Sequence, residues 1–171
     1  DIAVDPVEGT TFLAGGQTNA MAVIATAPKG TMLDPGPAFY MEKFAAPAET
    51  KGKIDMNWST EKKLKTVASL IEKDLKDLTV FVLDKPRHRG LVEEIHQAGA
   101  RVTLYPAGDV AGAIMAAIPD TEVDVLMGTG GTPEGIISAC AIRAMGGEFQ
   151  GRINPQLATE IVSVRNAGFD T

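Results

Sequence analysis

Apolar residues fall into two rhythms along this chain, and the change of rhythm predicts its elements. Three short runs, Thr79-Val80-Phe81-Val82-Leu83, Arg101-Val102-Thr103-Leu104-Tyr105 and Val123-Asp124-Val125-Leu126-Met127, are almost wholly apolar. They are too short for buried helices and rich in β-branched residues, so each predicts a strand. Each is followed by a segment of helical periodicity, over 90–98, 109–118 and 133–145. Continuous apolar strands alternating with helices imply a parallel sheet covered on both faces. A further helix opens at Ser59, a suitable N-cap, with Leu64, Val67, Ala68, Ile71 and Leu75 as its apolar stripe. Residues 149–153 supply one more strand.

Before position 59 the pattern is looser. Residues 19–27 form an apolar, partly β-branched run between turn residues and predict a buried strand. Pro28-Lys29-Gly30 turns the chain, Asp34-Pro35-Gly36-Pro37 forms a loop, and 39–44 reads as a second strand. Residues 47–58 carry no periodicity and read as a connection. The chain opens on Ile2-Ala3-Val4 as a strand already under way, without an initiator Met, and closes without a stop signal. The expectation is an interior piece of a longer protein.

Composition narrows the function classes. With 171 residues, 44% hydrophobic and 22% charged, the chain has the make-up of a globular protein of one domain or one and a half. A net charge of −6 argues against nucleic acid as the main partner, because no basic surplus answers a phosphate backbone. A small phosphorylated ligand remains compatible where positive charge is local or comes from a metal. Cys140 is the only cysteine, so no intrachain disulfide forms, and it reads as structural. Met21, Met115, Met127 and Met145 lie in apolar runs and read as core fillers. No run is long enough to span a membrane, no signal peptide opens the chain, and a cytoplasmic location is expected.

In open α/β sheets ligands bind beyond the carboxyl ends of the strands. Three connections there carry suitable chemistry. Lys85-Pro86-Arg87-His88 sets two cations before a helix, where they can clamp a phosphate or form a solvated basic turn. His88 can belong to this site, although a single exposed loop histidine is more often unremarkable, and His96 reads as surface. In Ala107-Gly108-Asp109, glycine permits close approach, while Asp109 is either a helix N-cap or a ligand contact. The glycine-rich loop 128–135 superficially resembles a dinucleotide fingerprint, but Pro133 stands where a third glycine is needed, and no Gly-Lys-Ser/Thr follows. Pro133 instead suits the first turn of a helix and places Glu134 beside the site.

The sharpest motif is Asp5-Pro6-Val7-Glu8-Gly9-Thr10. Read as a tight turn starting at Pro6, it aims Asp5 and Glu8 at one cation, while Gly9 admits an anion and the Thr10 hydroxyl holds a water. Hard oxygen donors of this kind suit Mg²⁺ or Mn²⁺. The same six residues are also compatible with ordinary turn chemistry.

Together with Tyr40-Met41-Glu42-Lys43, Lys85-Pro86-Arg87-His88, Gly108-Asp109-Val110 and Gly130-Gly131-Thr132-Pro133-Glu134-Gly135, this motif resembles the class II fructose-1,6-bisphosphatases, including the dual fructose-1,6-/sedoheptulose-1,7-bisphosphatases. The motifs occur in that family's order across almost the whole chain. The first alone would indicate only the wider lithium-sensitive phosphatase superfamily. The resemblance implies a layered α/β sugar-phosphatase-type fold, in which 1–58 is the C-terminal part of the metal- and phosphate-binding half and 59–171 is an α/β half. It implies divalent-metal hydrolysis of the 1-phosphate of a sugar bisphosphate, in gluconeogenesis or the Calvin cycle, by a cytoplasmic homotetramer. Asp5, Glu8 and Glu134 are the implied metal ligands, with catalysis by Asp5, Glu8 and Thr10. Glu8, Gly9 and Thr10 are implied to contact the scissile phosphate. Tyr40, Lys85, Pro86, Arg87, Ala107, Gly108, Asp109 and Gly131 are implied to contact the sugar and the other phosphate. Some relatives have an acid where Ala107 stands, which leaves a backbone contact there. The family also uses an Asp and a Glu upstream of the first motif as ligands, so residues 1–171 alone are expected to be inactive. The rival readings are an inositol-phosphate-type phosphatase of the same superfamily and a non-catalytic sugar-phosphate-binding module.

Overall fold

In the computed structural model, which describes residues 1–169, the chain runs β1 (Ile2–Glu8), α1 (Thr10–Ala14), β2 (Met21–Thr26), β3 (Tyr40–Ala46), α2 (Thr60–Leu70), β4 (Thr79–Leu83), α3 (Arg89–Ala98), β5 (Arg101–Tyr105), α4 (Asp109–Ala117), β6 (Val125–Gly131), α5 (Thr132–Met145), β7 (Glu148–Ile153) and α6 (Ala158–Asn166). The expected apolar strands pair in parallel, β4 lying between β5 and β6. They belong to a five-stranded sheet of order β5-β4-β6-β3-β7, in which β3 is antiparallel to both of its neighbours.

Alternate residues of these strands build two cores. Val80 and Val82 of β4, with Phe44, Val125 and Met127, pack beneath Leu64 and Val67 of α2 and Ile95 of α3. Phe81, with Ala45 and Leu126, faces Ala113 and Ala116 of α4 and Ile142 of α5. Each fully buried aliphatic or aromatic side chain contributes roughly 1.5–3 kcal/mol relative to exposure. Close helix–sheet contact here depends on Gly112, since a Cβ there would meet the Phe81 ring at 2.7 Å.

Ser59 caps α2, its side chain accepting from the Lys62 N–H at 3.3 Å. The helix stops at Leu70, so Leu75 lies in a separate 3₁₀ turn, still against the same core. Met127 is buried, but Met21 and Met145 are 36% and 39% exposed and do not fill a core.

β1 and β2 form a separate antiparallel ribbon. The strand expected over 19–27 exists, but it is not buried. Ile24 stands opposite Val4, with Ile2 two residues along, and the three are 67%, 59% and 70% exposed. Only the other face, with Ala3, Asp5, Val23 and Ala25, turns inward toward α5. Two-residue periodicity explains the split.

β4 and β6 are paired only at Val80–Val125 and Phe81–Leu126. Past that point β6 continues without its parallel neighbour, and a cleft opens at the carboxyl ends. Among the described residues, no helix is long and apolar enough to cross a membrane.

Candidate active site

The segment from Asp5 to Thr10 is not a turn beginning at Pro6. β1 runs through Pro6, and the register passes from Asp5–Val23 to Glu8–Met21. Three steps along β1 thus oppose two along β2, which is a bulge with one extra residue. On a regular strand Asp5 and Glu8 would face opposite sides, and the extra residue turns both inward. Pro6, lacking an N–H, is tolerated at such an irregularity. Asp5 Oδ1 accepts from the Val7 N–H at 3.0 Å and steadies the bulge. The chain reverses at Gly9, whose φ of 77° is left-handed, and Phe12 packs where a Cβ would lie. Thr10 follows, exposed, at the start of α1.

Glu8 is buried and its Oε1 accepts from the Val110 N–H at 3.1 Å, in the first turn of α4. Burial pushes its carboxyl up to about 7. The Val110 hydrogen bond opposes that rise, and Asp109, Asp5 and Glu134 nearby add to it.

Asp109 has a different job from capping. Gly108, at φ 88°, is the N-cap of α4. The Asp109 carboxylate instead accepts from Lys43 Nζ at 2.6 Å, with side chains 9% and 1% exposed. Lys43 reaches it from β3, across the sheet.

The glycine-rich stretch is strand rather than loop. Gly128, Thr129, Gly130 and Gly131 of β6 pair with Lys43, Glu42, Met41 and Tyr40. Two of these glycines have a specific purpose. A Cβ on Gly130 would overlap the Asp109 carboxylate, and one on Gly131 would overlap the Glu134 carboxylate. The doublet thereby lets two acids lie against bare backbone. Pro133 sits in the first turn of α5, as expected, and Glu134 follows it.

Asp5, Glu8 and Glu134 each offer a carboxylate oxygen, and the three lie within 4.8 Å of one another. Among the described residues, the buried side-chain atoms without a hydrogen-bond partner are Thr132 Oγ1 and Glu134 Oε2. An orphaned carboxylate oxygen beside two further acids, one of them raised in pKa by burial, fits a hard divalent cation.

The basic connection behaves unexpectedly. Pro86–His88 is a 3₁₀ turn leading into α3. Lys85 is half-buried, with no ion pair among the described residues. Arg87 donates to the Thr129 carbonyl from Nε at 3.0 Å and Nη2 at 2.8 Å, and its guanidinium lies 5.2 Å from the Tyr40 ring centroid. His88 is 4% exposed, not a surface histidine, and both ring nitrogens are engaged. His96 is exposed, as expected.

Three residues escaped the sequence reading. Lys43 gave one signal, a second charge beside Glu42 inside a strand that is apolar elsewhere. His88 could be placed beside the basic connection, but its burial and its two ring partners left no local signal. Glu160 of α6, 6% exposed, accepts from the Phe39 and Tyr40 N–H groups at 2.7 and 2.8 Å and so fixes Tyr40 at the cleft. Cys140 is partly buried and lines an apolar cavity of about 830 Å³ with Arg143 and Phe149, in whose lining none of the three acids takes part.

The family model for bacterial fructose-1,6-bisphosphatase, glpX-encoded, matches residues 1–171. A Haemophilus influenzae protein named fructose-1,6-bisphosphatase class 2 is 49% identical over 155 residues, covering 91% of this chain and 46% of that protein. Proteins of Crocosphaera subtropica and Trichodesmium erythraeum, both named D-fructose 1,6-bisphosphatase class 2/sedoheptulose 1,7-bisphosphatase, are 48% and 49% identical over 153 residues. In each case 90% of this chain and 44% of the relative is covered. The chain thus spans somewhat under half the length of these relatives.

Proposed function

This chain belongs to the glpX-encoded bacterial fructose-1,6-bisphosphatase family, and on that footing we propose that the protein carrying it hydrolyses the 1-phosphate of fructose 1,6-bisphosphate with a divalent metal. Sedoheptulose 1,7-bisphosphate is the second substrate of this reading, since two of the relatives are named for both activities. The observation that carries the proposal is the meeting of Asp5, Glu8 and Glu134 at the carboxyl end of the sheet, beside a glycine doublet and a helix N-terminus.

Asp5, Glu8 and Glu134 hold the cation, and an all-oxygen donor set favours Mg²⁺ or Mn²⁺. Bound there, such an ion polarises a phosphoryl oxygen and lowers the pKa of a bound water. The protein's own groups do the rest. The N–H groups after Gly9 present donors to the scissile phosphate, and the exposed Thr10 hydroxyl orients the attacking water. Glu8 has its proton held up to about 7 and releases it when a cation binds. Lys85 and the remaining edge of Arg87, with Tyr40, grip the sugar and the distant phosphate. Ala107, Gly108, Asp109 and Gly131 close the opposite side of the cleft. Binding energy at the remote phosphate then favours a bisphosphate over a monophosphate. The family reading extends to a cytoplasmic homotetramer serving gluconeogenesis or the Calvin cycle. The mass of the full-length protein in solution checks the assembly.

The test is phosphate release by the full-length protein from fructose 1,6-bisphosphate and from fructose monophosphates, with Mg²⁺, with Mn²⁺ and with chelator. Metal-dependent release from the bisphosphate, lost in Asp5→Asn and Glu134→Gln, is expected. Equal release with chelator, or full activity in either variant, overturns the assignment.

A further inference from the structure

We propose that His88 is a positioning residue of this site, holding the Thr129 peptide so that the Gly130-Gly131 segment and Glu134 stand ready for the cation. The proposal rests on the reading of Glu134 as a cation ligand. Its starting point is the parting of β4 and β6 after Phe81–Leu126. Thr129 lies beyond that point, on the side of β6 that has lost its neighbour. Two consecutive side chains replace the missing strand. His88 Nε2 accepts from the Thr129 N–H at 2.8 Å, and Arg87 donates to the Thr129 carbonyl. Both main-chain polar groups of one residue are therefore held from the β4–α3 connection.

The histidine is itself fixed. Its Nδ1 lies 2.7 Å from the Leu83 carbonyl at the end of β4. A backbone N–H can only donate, so Nε2 must be bare and Nδ1 must carry the proton. The ring then bridges two strands with a single tautomer. Gly128 is shaped to receive it: its φ is 135°, and a Cβ there would lie 3.0 Å from His88 Nε2. An aliphatic residue at 88 fills the same space and leaves the Thr129 N–H buried without an acceptor. Thr129 then keeps the Arg87 bond, the Asn154 bond to its hydroxyl and the β3 pairing, but it must shift to bring its N–H to another acceptor, and Gly130 and Gly131, with no side chains of their own to anchor them, shift with it. Since these glycines seat the Asp109 and Glu134 carboxylates, the displacement reaches the acids.

Full-length wild-type protein is compared with His88→Leu and His88→Gln by Mn²⁺ titration, reading free Mn²⁺ by electron paramagnetic resonance, beside each thermal midpoint. His88→Leu is expected to bind Mn²⁺ at least about 10-fold more weakly, in the range typical of lost outer-shell partners. His88→Gln, whose amide oxygen can accept from Thr129, is expected within about 3-fold of wild type, a rescue that lost packing does not produce. Wild-type affinity in His88→Leu, or equal loss in both variants, overturns the proposal. Where His88→Leu does not fold, the ¹⁵N signals of His88 and of the Thr129 amide in the wild type decide. The Nδ1–H tautomer and a shift of both signals on adding Mg²⁺ support the link, and unmoved signals overturn it. A wild type that binds Mn²⁺ but releases no phosphate overturns the phosphatase reading alone. A wild type that binds no Mn²⁺ overturns both.

Discussion

Replacing Lys43 by Met keeps most of the buried stem and removes the ammonium. In the native protein that ammonium is the one counter-charge in contact with Asp109 among the described residues, at 2.6 Å. The two side chains are 1% and 9% exposed, so water can replace Lys43 only through the small face that Asp109 shows to the cleft. Breaking a buried pair from one side costs about 3–5 kcal/mol, because a charge is left without compensation. The partial opening of Asp109 to the cleft places this case at the lower end, about 3 kcal/mol. At about 2–4 °C per kcal/mol for a chain of this size, the midpoint should fall by about 6–12 °C. The assay is urea and thermal unfolding of the metal-free protein, followed by circular dichroism in chelator. A second variant tests the cause: Lys43→Met with Asp109→Asn removes both charges and should recover about 1–2 kcal/mol of the loss. A single variant within about 0.5 kcal/mol of wild type, or a double no better than the single, refutes the reasoning.

Other expectations follow from the same site. Gly131→Ala forces a methyl group into the Glu134 carboxylate and should weaken Mn²⁺ binding at least about 10-fold, whereas Gly90→Ala, on α3 with nothing within 4 Å of its Cβ, should be neutral. Glu8 has a folded-state pKa of about 7 against 4.5, so the fold prefers its neutral form and stability should fall as pH rises between those values, by at most about 3 kcal/mol. Denaturation of metal-free protein across pH 4.5 to 7 checks this, since Glu8→Gln or added Mn²⁺ should remove that slope. Glu160→Ala frees the Phe39 and Tyr40 N–H groups and should cost about 2–3 kcal/mol, read by urea denaturation. On the proposed role of Tyr40 in gripping the sugar and the distant phosphate, it should also raise KM for the bisphosphate more than it lowers kcat.

Much of the α/β half is legible because its strands are uniformly apolar and its helices strictly periodic. Thr79–Leu83 and Arg101–Tyr105 are strands at the bounds the pattern gives. The extension of β6 through Gly128-Thr129-Gly130-Gly131 is not legible, since glycine carries no strand propensity and only pairing with β3 makes it one. The bulge between Asp5 and Glu8 is equally hidden, because it exists only relative to the register of β2. Local reading placed the acids in one motif but assigned their convergence to a turn. α1 and α6 went unforeseen, being short or weakly patterned. Lys43 and His88 were beyond local reading for a different reason. Their partners Asp109 and Thr129 lie far along the chain, and burial rather than residue type gives them their roles.

The place of β3 has a temporal meaning as well as a spatial one. It leaves the ribosome long before either strand that flanks it, since Tyr40 waits for Gly131 and Ala46 waits for Glu148. Its neighbours in sequence offer no pairing partner, so this antiparallel strand, second from the edge of the sheet, is added by closing a very long loop. Such non-local pairing delays folding until the entropy of closure has been overcome. In the interval, the parallel strands β4 and β5 with their helices can assemble, but β3 and the edge of β4 that should meet β6 stand open. Nascent chains halted between α4 and β7 are therefore the ones most in need of protection from edge-to-edge association.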